Sequence, residues 1–443
     1  MVYQTNCNEE AGAMMASSLR NAQLTSTDFD YRRQQIYQQL IQDNIQIVGL
    51  WIENAQLFTC TLLACLDAKV KVLLPPNLLP ENQRWVIENA DLLFTQEYLS
   101  CYATSQHVEH ITSDIDKTNS TEICLKTSGS SGQAKIIKKT AQQMWKEAET
   151  LAQVLPFERG INITVLGSVS VQHLYGLTFR VFLALEMGWS LGGEQLHYPE
   201  YLIEQSYQSQ QAIWISSPAL LSRLNLENAA LRQCNLIGIV SSGGVLPENV
   251  GNLIRTQLTI PVVEIYGSTE TGAIAARQDN GLWQSLPHSQ IGLDAQGALW
   301  VKSAWINQKE QTADAVEIYS NGFQLLGRID RIVKLGDKRI SLVAIEQDLL
   351  KHPWVRDCYI ALHPTQQRPV AWIALNTTGI ELLQQNQRKT LIDELKQFVG
   401  QYQEKLALPR FWRFCTQLPR NSQSKISRAD FERVCLSQQD EIT

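Results

Sequence analysis

Apolar positions along the chain change their period several times, and the changes mark out elements. In 28–43, Tyr31, Ile36, Leu40 and Ile41 recur at helical spacing, which predicts an amphipathic helix. An apolar run of strand length follows at 45–51, then a helix at 55–66 and a strand at 71–74 that ends at Pro75-Pro76. The same alternation continues with strands at 123–126, 164–166, 212–215, 236–240 and 262–265, and helices at about 140–154 and 176–188. Alternating helices and short apolar strands predict an α/β fold with a largely parallel sheet. Between 291 and 326 the texture becomes short strands broken by Gly and Asn, as in a small β-rich subdomain. Beyond Asp330, strands at 355–363 and 369–375 and a helix at about 387–402 predict a separate, small α+β lid.

Composition narrows the function classes. The 443 residues suffice for two or three domains, and a hydrophobic share of 44% is that of a globular protein. A net charge of −6 gives no bulk attraction to nucleic acid or to a membrane surface. The start of the chain lacks a basic segment followed by an apolar core, so no signal peptide is expected. The most apolar stretch, 59–74, is interrupted by Asp67, Lys69 and Lys71, so no membrane span is expected. Nine scattered cysteines without a CxxC pair predict free thiols and a cytoplasmic setting.

The sharpest motif directly follows the strand at 123–126. It runs Thr127, Ser128, Gly129, Ser130, Ser131, Gly132, Gln133, Ala134, Lys135. Its glycines let the backbone turn tightly and bring N–H groups near a phosphate; its hydroxyls donate to phosphate oxygens, and Lys135 neutralises charge. Gln133 and Ala134 separate Gly132 from Lys135, so this is not a Walker A loop. A solvated Ser/Gly surface loop has the same composition. Further on, Tyr266, Gly267, Ser268, Thr269 and Glu270 follow the strand at 262–265. A hydroxyl beside a carboxylate suits an α-phosphate and its Mg²⁺, which takes few carboxylates plus phosphate oxygens. In isolation the pentapeptide also reads as a turn with a solvated glutamate.

These two segments resemble signatures of the adenylate-forming superfamily, which includes acyl- and aryl-CoA ligases, luciferases and nonribosomal adenylation domains. Further stretches resemble that family's pattern in the same order. They are Ser242-Gly243-Gly244, His173-Leu174-Tyr175-Gly176, Thr312-Ala313-Asp314, Gly327-Arg328-Ile329-Asp330 and Leu418-Pro419, with Lys425 six residues beyond. Ala134, Ala313, Asp337 and Ser424 depart from it. The resemblance implies a large N-terminal domain (1–329) of layered α/β subdomains with the β-rich subdomain, and a mobile C-terminal domain (330–443) hinged at Asp330. It implies ATP and Mg²⁺ as cofactors. Tyr266 would stack on adenine, with Gly243 and Gly244 bringing backbone near it. Thr269 would be catalytic, meeting the α-phosphate, and Glu270 would meet the metal; Asp314 would hold the ribose, and Arg328 would reach the ribose or a phosphate. Lys425 would be catalytic in the first half-reaction, and so would His173, which at the acyl pocket would gate the acid's carboxylate or donate to it. The implied activity adenylates a small carboxylic acid and passes the acyl group to a thiol. The chain looks most like stand-alone aryl polyene or pigment-cluster ligases, which implies a 4-hydroxybenzoate- or 4-hydroxycinnamate-like acid and the phosphopantetheine of a separate acyl carrier protein. Free CoA is the alternative acceptor. A degenerate ligase fold serving as a scaffold is the alternative from another class. Lys405, Arg410, Arg413, Arg420 and Arg428 would face phosphates or an acidic carrier protein, or form a solvated face.

Overall fold

The computed structural model describes residues 26–102, 114–127, 135–335, 338–385, 387–420 and 426–437. The chain divides into two compact units. One comprises Met1–Gly281, Ser285–Gln290 and Lys302–Glu310; the other comprises Leu282–Gln284, Ile291–Val301 and Gln311–Thr443.

Two sheets organise the first unit. One has the order Leu92–Thr95, Ile47–Trp51, Lys71–Leu74, Glu122–Thr127, Lys135–Thr140; its strands are parallel except the last, which pairs antiparallel with Glu122–Thr127. The other runs Gln284–Ser285, Gly272–Arg277, Val262–Ser268, Leu236–Ser241, Gln211–Ser216, Ile163–Gly167, Ser190–Gln195. From Val262–Ser268 to Ser190–Gln195 its pairs are parallel. Strands covered on both faces read as continuous apolar runs, and Ile213, Ile215, Val240, Val263 and Ile265 are all core residues. The helix Ala55–Asp67 is buried all round from Ala55 to Leu66, the pattern of a core helix rather than a surface one. Asn54 caps it, accepting the N–H groups of Gln56 and Leu57.

The second unit contains the expected β-rich part, a four-stranded sheet in the order Ser289–Leu293, Ala298–Ser303, Glu310–Tyr319, Gly322–Arg328. A short 3₁₀ turn, Ile329–Arg331, leads into the hairpin Ile332–Leu335 and Lys338–Ser341. The expected α+β part follows. Val355–Leu362, Pro369–Leu375 and Phe411–Cys415 form a three-stranded sheet. Ile345, Leu349, Ile373, Leu391, Leu395 and Phe414 belong to its core.

The α/β class with a mostly parallel sheet is therefore as the apolar pattern predicts. Among the described residues no helix is long and apolar enough to cross a membrane. The described cysteines are free thiols.

Candidate active site

In the first unit the parallel strands Ile163–Gly167, Gln211–Ser216, Leu236–Ser241 and Val262–Ser268 all end on one edge of their sheet, the usual place for a ligand in an open α/β sheet. The strand expected at 262–265 is longer than the apolar run. The strand continues to Ser268 and folds straight back, Ser268 pairing with Gly272, with a bulge between Tyr266 and Gly267. Gly267 is needed for close approach, since a Cβ there would lie 2.2 Å from the Gly272 carbonyl oxygen. Thr269, Glu270 and Thr271 form the turn. Thr271 Oγ1 accepts the Ser268 N–H (3.0 Å) and donates to the Gly272 carbonyl (2.8 Å), while Ser268 Oγ accepts the Thr271 N–H (3.2 Å). The turn is thus held by Ser268 and Thr271, which leaves the half-exposed Thr269 and Glu270 presented from it.

Those two side chains offer oxygen donors only, a carboxylate and a hydroxyl. Among the described residues no group of three or more His, Cys, Asp or Glu stands together as a metal cage. One carboxylate on a fixed turn fits Mg²⁺ that arrives on phosphate oxygens.

Beside the turn, the next strand end is tied in. Ser242 donates to the Ile265 carbonyl (2.8 Å), and its N–H reaches the Ser216 carbonyl (3.3 Å). Gly243 follows at φ +86, a conformation that favours glycine, and Gly243 and Gly244 are exposed backbone. Below, the Tyr175 hydroxyl is shared between the carbonyls of Ser216 (3.0 Å) and Val240 (2.9 Å), and Ser168 Oγ lies 3.0 Å from Ser216 Oγ. His173 precedes this tyrosine as the cap residue of Leu174–Gly176, with no side-chain capping bond. Burial holds its imidazole below the usual histidine range. The helix expected at 176–188 starts earlier and contains a π-helical segment, Leu177–Phe182. Such segments concentrate at functional sites.

The expected phosphate loop lies between two strands that pair antiparallel, Glu122–Thr127 and Lys135–Thr140. Thr127 pairs with Lys135, and Thr127 Oγ1 donates to the Lys135 carbonyl at 3.3 Å. Ser128, Gly129, Ser130, Ser131 and Gly132 lie outside the described residues. Lys135 is exposed at the start of the returning strand.

Sequence reasoning missed two residues beneath the turn. Lys139, 3% exposed, reaches the Glu270 and Trp305 carbonyls, both at 3.3 Å. Glu147, 1% exposed, accepts the Ala273 N–H at 2.7 Å. Burial pulls the Lys139 ammonium down and pushes the Glu147 carboxyl up; each charge opposes the other's shift. The alternation of a strand, which turns Lys138 and Lys139 to opposite faces, was the available signal.

The second unit holds the ribose candidates. Asp314, half-buried, pairs across strands with Arg328, and its N–H donates to Thr312 Oγ1 (3.1 Å). Thr312 Oγ1 donates in turn to the Leu299 carbonyl (2.8 Å). Gly327 takes φ +110 just before Arg328. Asp330 lies in the 3₁₀ turn. Beside it, Arg331 bonds Glu346 (2.5 Å) and the Ile360 carbonyl (2.6 Å) and stacks over Tyr359. Asp337, Ser424 and Lys425 lie outside the described residues; the bridge Arg420↔Ile426 flanks 421–425. Three of the tail's basic residues have structural partners. Arg413 caps the helix Arg428–Leu436 through the carbonyls of Val434, Cys435 and Ser437, Arg420 pairs with Asp357, and Arg428 with Glu432.

Residues 344–425 match the AMP-binding enzyme C-terminal domain. A 4-coumarate–CoA ligase of Cereibacter sphaeroides is 23% identical over 303 residues, covering 68% of this chain and 69% of its own. A 4-coumarate–CoA ligase of Halorhodospira halophila is 26% identical over 310 residues, covering 68% and 73%. The fold is similar to that of an anthranilate CoA ligase solved with anthranoyl-AMP. The TM-score is 0.76 at 13% identity, over 96% of this chain and 97% of the other.

Proposed function

Since the chain belongs to the adenylate-forming (AMP-binding) superfamily, we propose that this enzyme is an AMP-forming acid–thiol ligase acting on a small aromatic carboxylic acid of the 4-hydroxybenzoate or 4-hydroxycinnamate type. The observation that carries the reading is the Ser268–Gly272 turn. It offers a hydroxyl and a carboxylate at the ligand edge of a parallel sheet, next to the Gly243–Gly244 backbone.

In the first half-reaction a carboxylate oxygen attacks the α-phosphorus of ATP, and the bond to the β-phosphate oxygen breaks to release pyrophosphate. Two anions must meet, so the chain's task is alignment and charge neutralisation. Thr127, the loop 128–132 and Lys135 bind the phosphates. Tyr266 stacks on adenine, and Asp314 and Arg328 hold the ribose. Thr269 donates to the α-phosphate, and Glu270 holds Mg²⁺, whose chemistry when bound is to neutralise phosphate charge. Lys425 bridges the attacking carboxylate and the α-phosphate. His173, kept neutral by burial, orients the acid. In the second half-reaction the domain beyond Asp330 turns, Lys425 withdraws, and a thiol attacks the acyl carbonyl; AMP leaves and the thiol proton goes to solvent.

The acceptor is a phosphopantetheine thiol. The primary reading places it on a separate acyl carrier protein. Free CoA is the second reading, favoured by the naming of both curated relatives as CoA ligases.

Pyrophosphate release with a panel of aromatic and aliphatic acids tests the first step. Thioester formation read by mass, with CoA and with phosphopantetheinylated carrier protein, tests the second. Silence across the panel, with ATP failing to raise the melting temperature, would favour a scaffold role for the fold.

A further inference from the structure

Lys139 and Glu147 are two charged side chains taken out of water, yet neither is spent on a substrate-facing position. Burying an ammonium is costly unless its surroundings compensate it. Here compensation comes from two backbone carbonyls, Glu270 and Trp305, and from the charges of Glu147, Glu310 and Glu270. The Glu147 carboxylate bonds the backbone of Ala273 through Oε1, and its Oε2 has no hydrogen-bond partner among the described residues. Both side chains therefore grip main chain, on either side of Thr271 and Gly272.

The grip is tight. At Gly272, φ is +68 and a Cβ would lie 2.8 Å from Glu147 Oε1 and 2.8 Å from Trp305 Cδ1. The Glu270 carbonyl that Lys139 holds belongs to the residue whose carboxylate is offered to the metal. Lys139 also sits on Lys135–Thr140, the strand that leaves the phosphate loop and pairs with Thr127. One side chain thus joins the strand that follows the phosphate loop to the turn that carries Thr269 and Glu270.

We propose that Lys139, buttressed by Glu147, is a positioning residue that fixes the Glu270 turn against the strand of the phosphate loop and so sets the affinity for Mg·ATP. The inference deepens the proposed role of Thr269 and Glu270 and rests on it.

Titration calorimetry on the full chain tests it, with ATP added in excess Mg²⁺ and in EDTA. Outer-shell partners of metal ligands typically change metal affinity by about 10–100-fold. Lys139→Met is expected to weaken Mg·ATP binding about tenfold while leaving ATP binding in EDTA within about twofold, with KM for the acid similarly unmoved. Lys139→Gln, which keeps one donor, is expected to lie between. Equal affinities for wild type and both variants would overturn the proposal. So would an equal loss with and without Mg²⁺, and so would failure of both variants to fold, since each leaves Lys139 a purely structural role. Wild-type protein that binds no Mg·ATP would instead sink the reading of Thr269 and Glu270 themselves.

Discussion

Asp314 and Arg328 stand directly opposite each other across the antiparallel pair of Glu310–Tyr319 and Gly322–Arg328. Residues so placed in a sheet share a face, with Cβ atoms about 4.5–5.5 Å apart. The pairing depends on the bulge between Ala315 and Val316, which shifts the register by one residue on the way from the turn. Two ribose-binding candidates fourteen positions apart in sequence are thereby one cross-strand pair.

That pairing makes their effects non-additive. Hydrogen bonds to charged groups are worth about 1.5–3 kcal/mol, roughly 10–150-fold. Asp314→Asn and Arg328→Gln are each expected to lower kcat/KM for ATP by about that factor, with KM for the acid little changed. The double variant is expected to lose less than the product, because neighbours in one network couple. A full double-mutant cycle on kcat/KM checks this, and strict additivity would contradict it.

Lys425→Ala is expected to separate the half-reactions. Losing one charge-stabilising donor typically costs about 10²–10³-fold in turnover. Adenylation read as pyrophosphate release is expected to fall by at least about that factor, while thioester formation from supplied acyl-AMP persists. Equal loss of both half-reactions would contradict the division of labour.

The elements legible in the sequence were those with an unambiguous apolar code. Ile163–Gly167 and Leu236–Ser241 are near-continuous apolar runs because their residues are buried on both faces of the sheet. Lys135–Thr140 escaped notice because it lies at a sheet edge, where lysines are tolerated and discourage further pairing. Gly272–Arg277 escaped because Gly and Ala carry little strand signal. The π segment at Leu177–Phe182 changes hydrogen bonding without changing the apolar character of its residues. In the site, motif spacing exposed Thr269 and Glu270, whose chemistry is local. It hid Lys139 inside an apparently solvated basic run, since only the fold reveals that its Nζ meets a carbonyl 131 residues away.

The buried His173 gives a pH dependence of definite sign. Burial lowers its pKa below the ordinary 6.5, so the folded protein keeps it neutral where the unfolded chain already binds a proton. Where the unfolded state holds more protons, stability rises with pH. The contribution of His173 is therefore lost as pH falls from about 6.5 toward the depressed folded value. His352 is lowered in the same direction, also by burial, so the measurement must be a difference. Urea midpoints at about pH 7.5 and about pH 5.5 are expected to fall less for His173→Gln than for wild type. Identical slopes would mean that His173 is not held neutral.

Gly272 closes the turn that carries Glu270, and its substitution probes backbone and packing together. At φ +68 an L-residue with a Cβ pays about 1–2 kcal/mol of left-handed strain. The added Cβ also meets Trp305 Cδ1 and Glu147 Oε1 inside ordinary contact distance, and both neighbours are buried. Over-packing of that kind costs about 1–3 kcal/mol. Gly272→Ala is therefore expected to lower stability by about 2–5 kcal/mol in urea unfolding. Gly188→Ala is the matched control: its φ of +67 carries the same left-handed strain, but no atom lies within 4 Å of the added Cβ, so only the strain remains. If the two variants lose the same stability, the close fit of the turn against Glu147 and Trp305 contributes nothing.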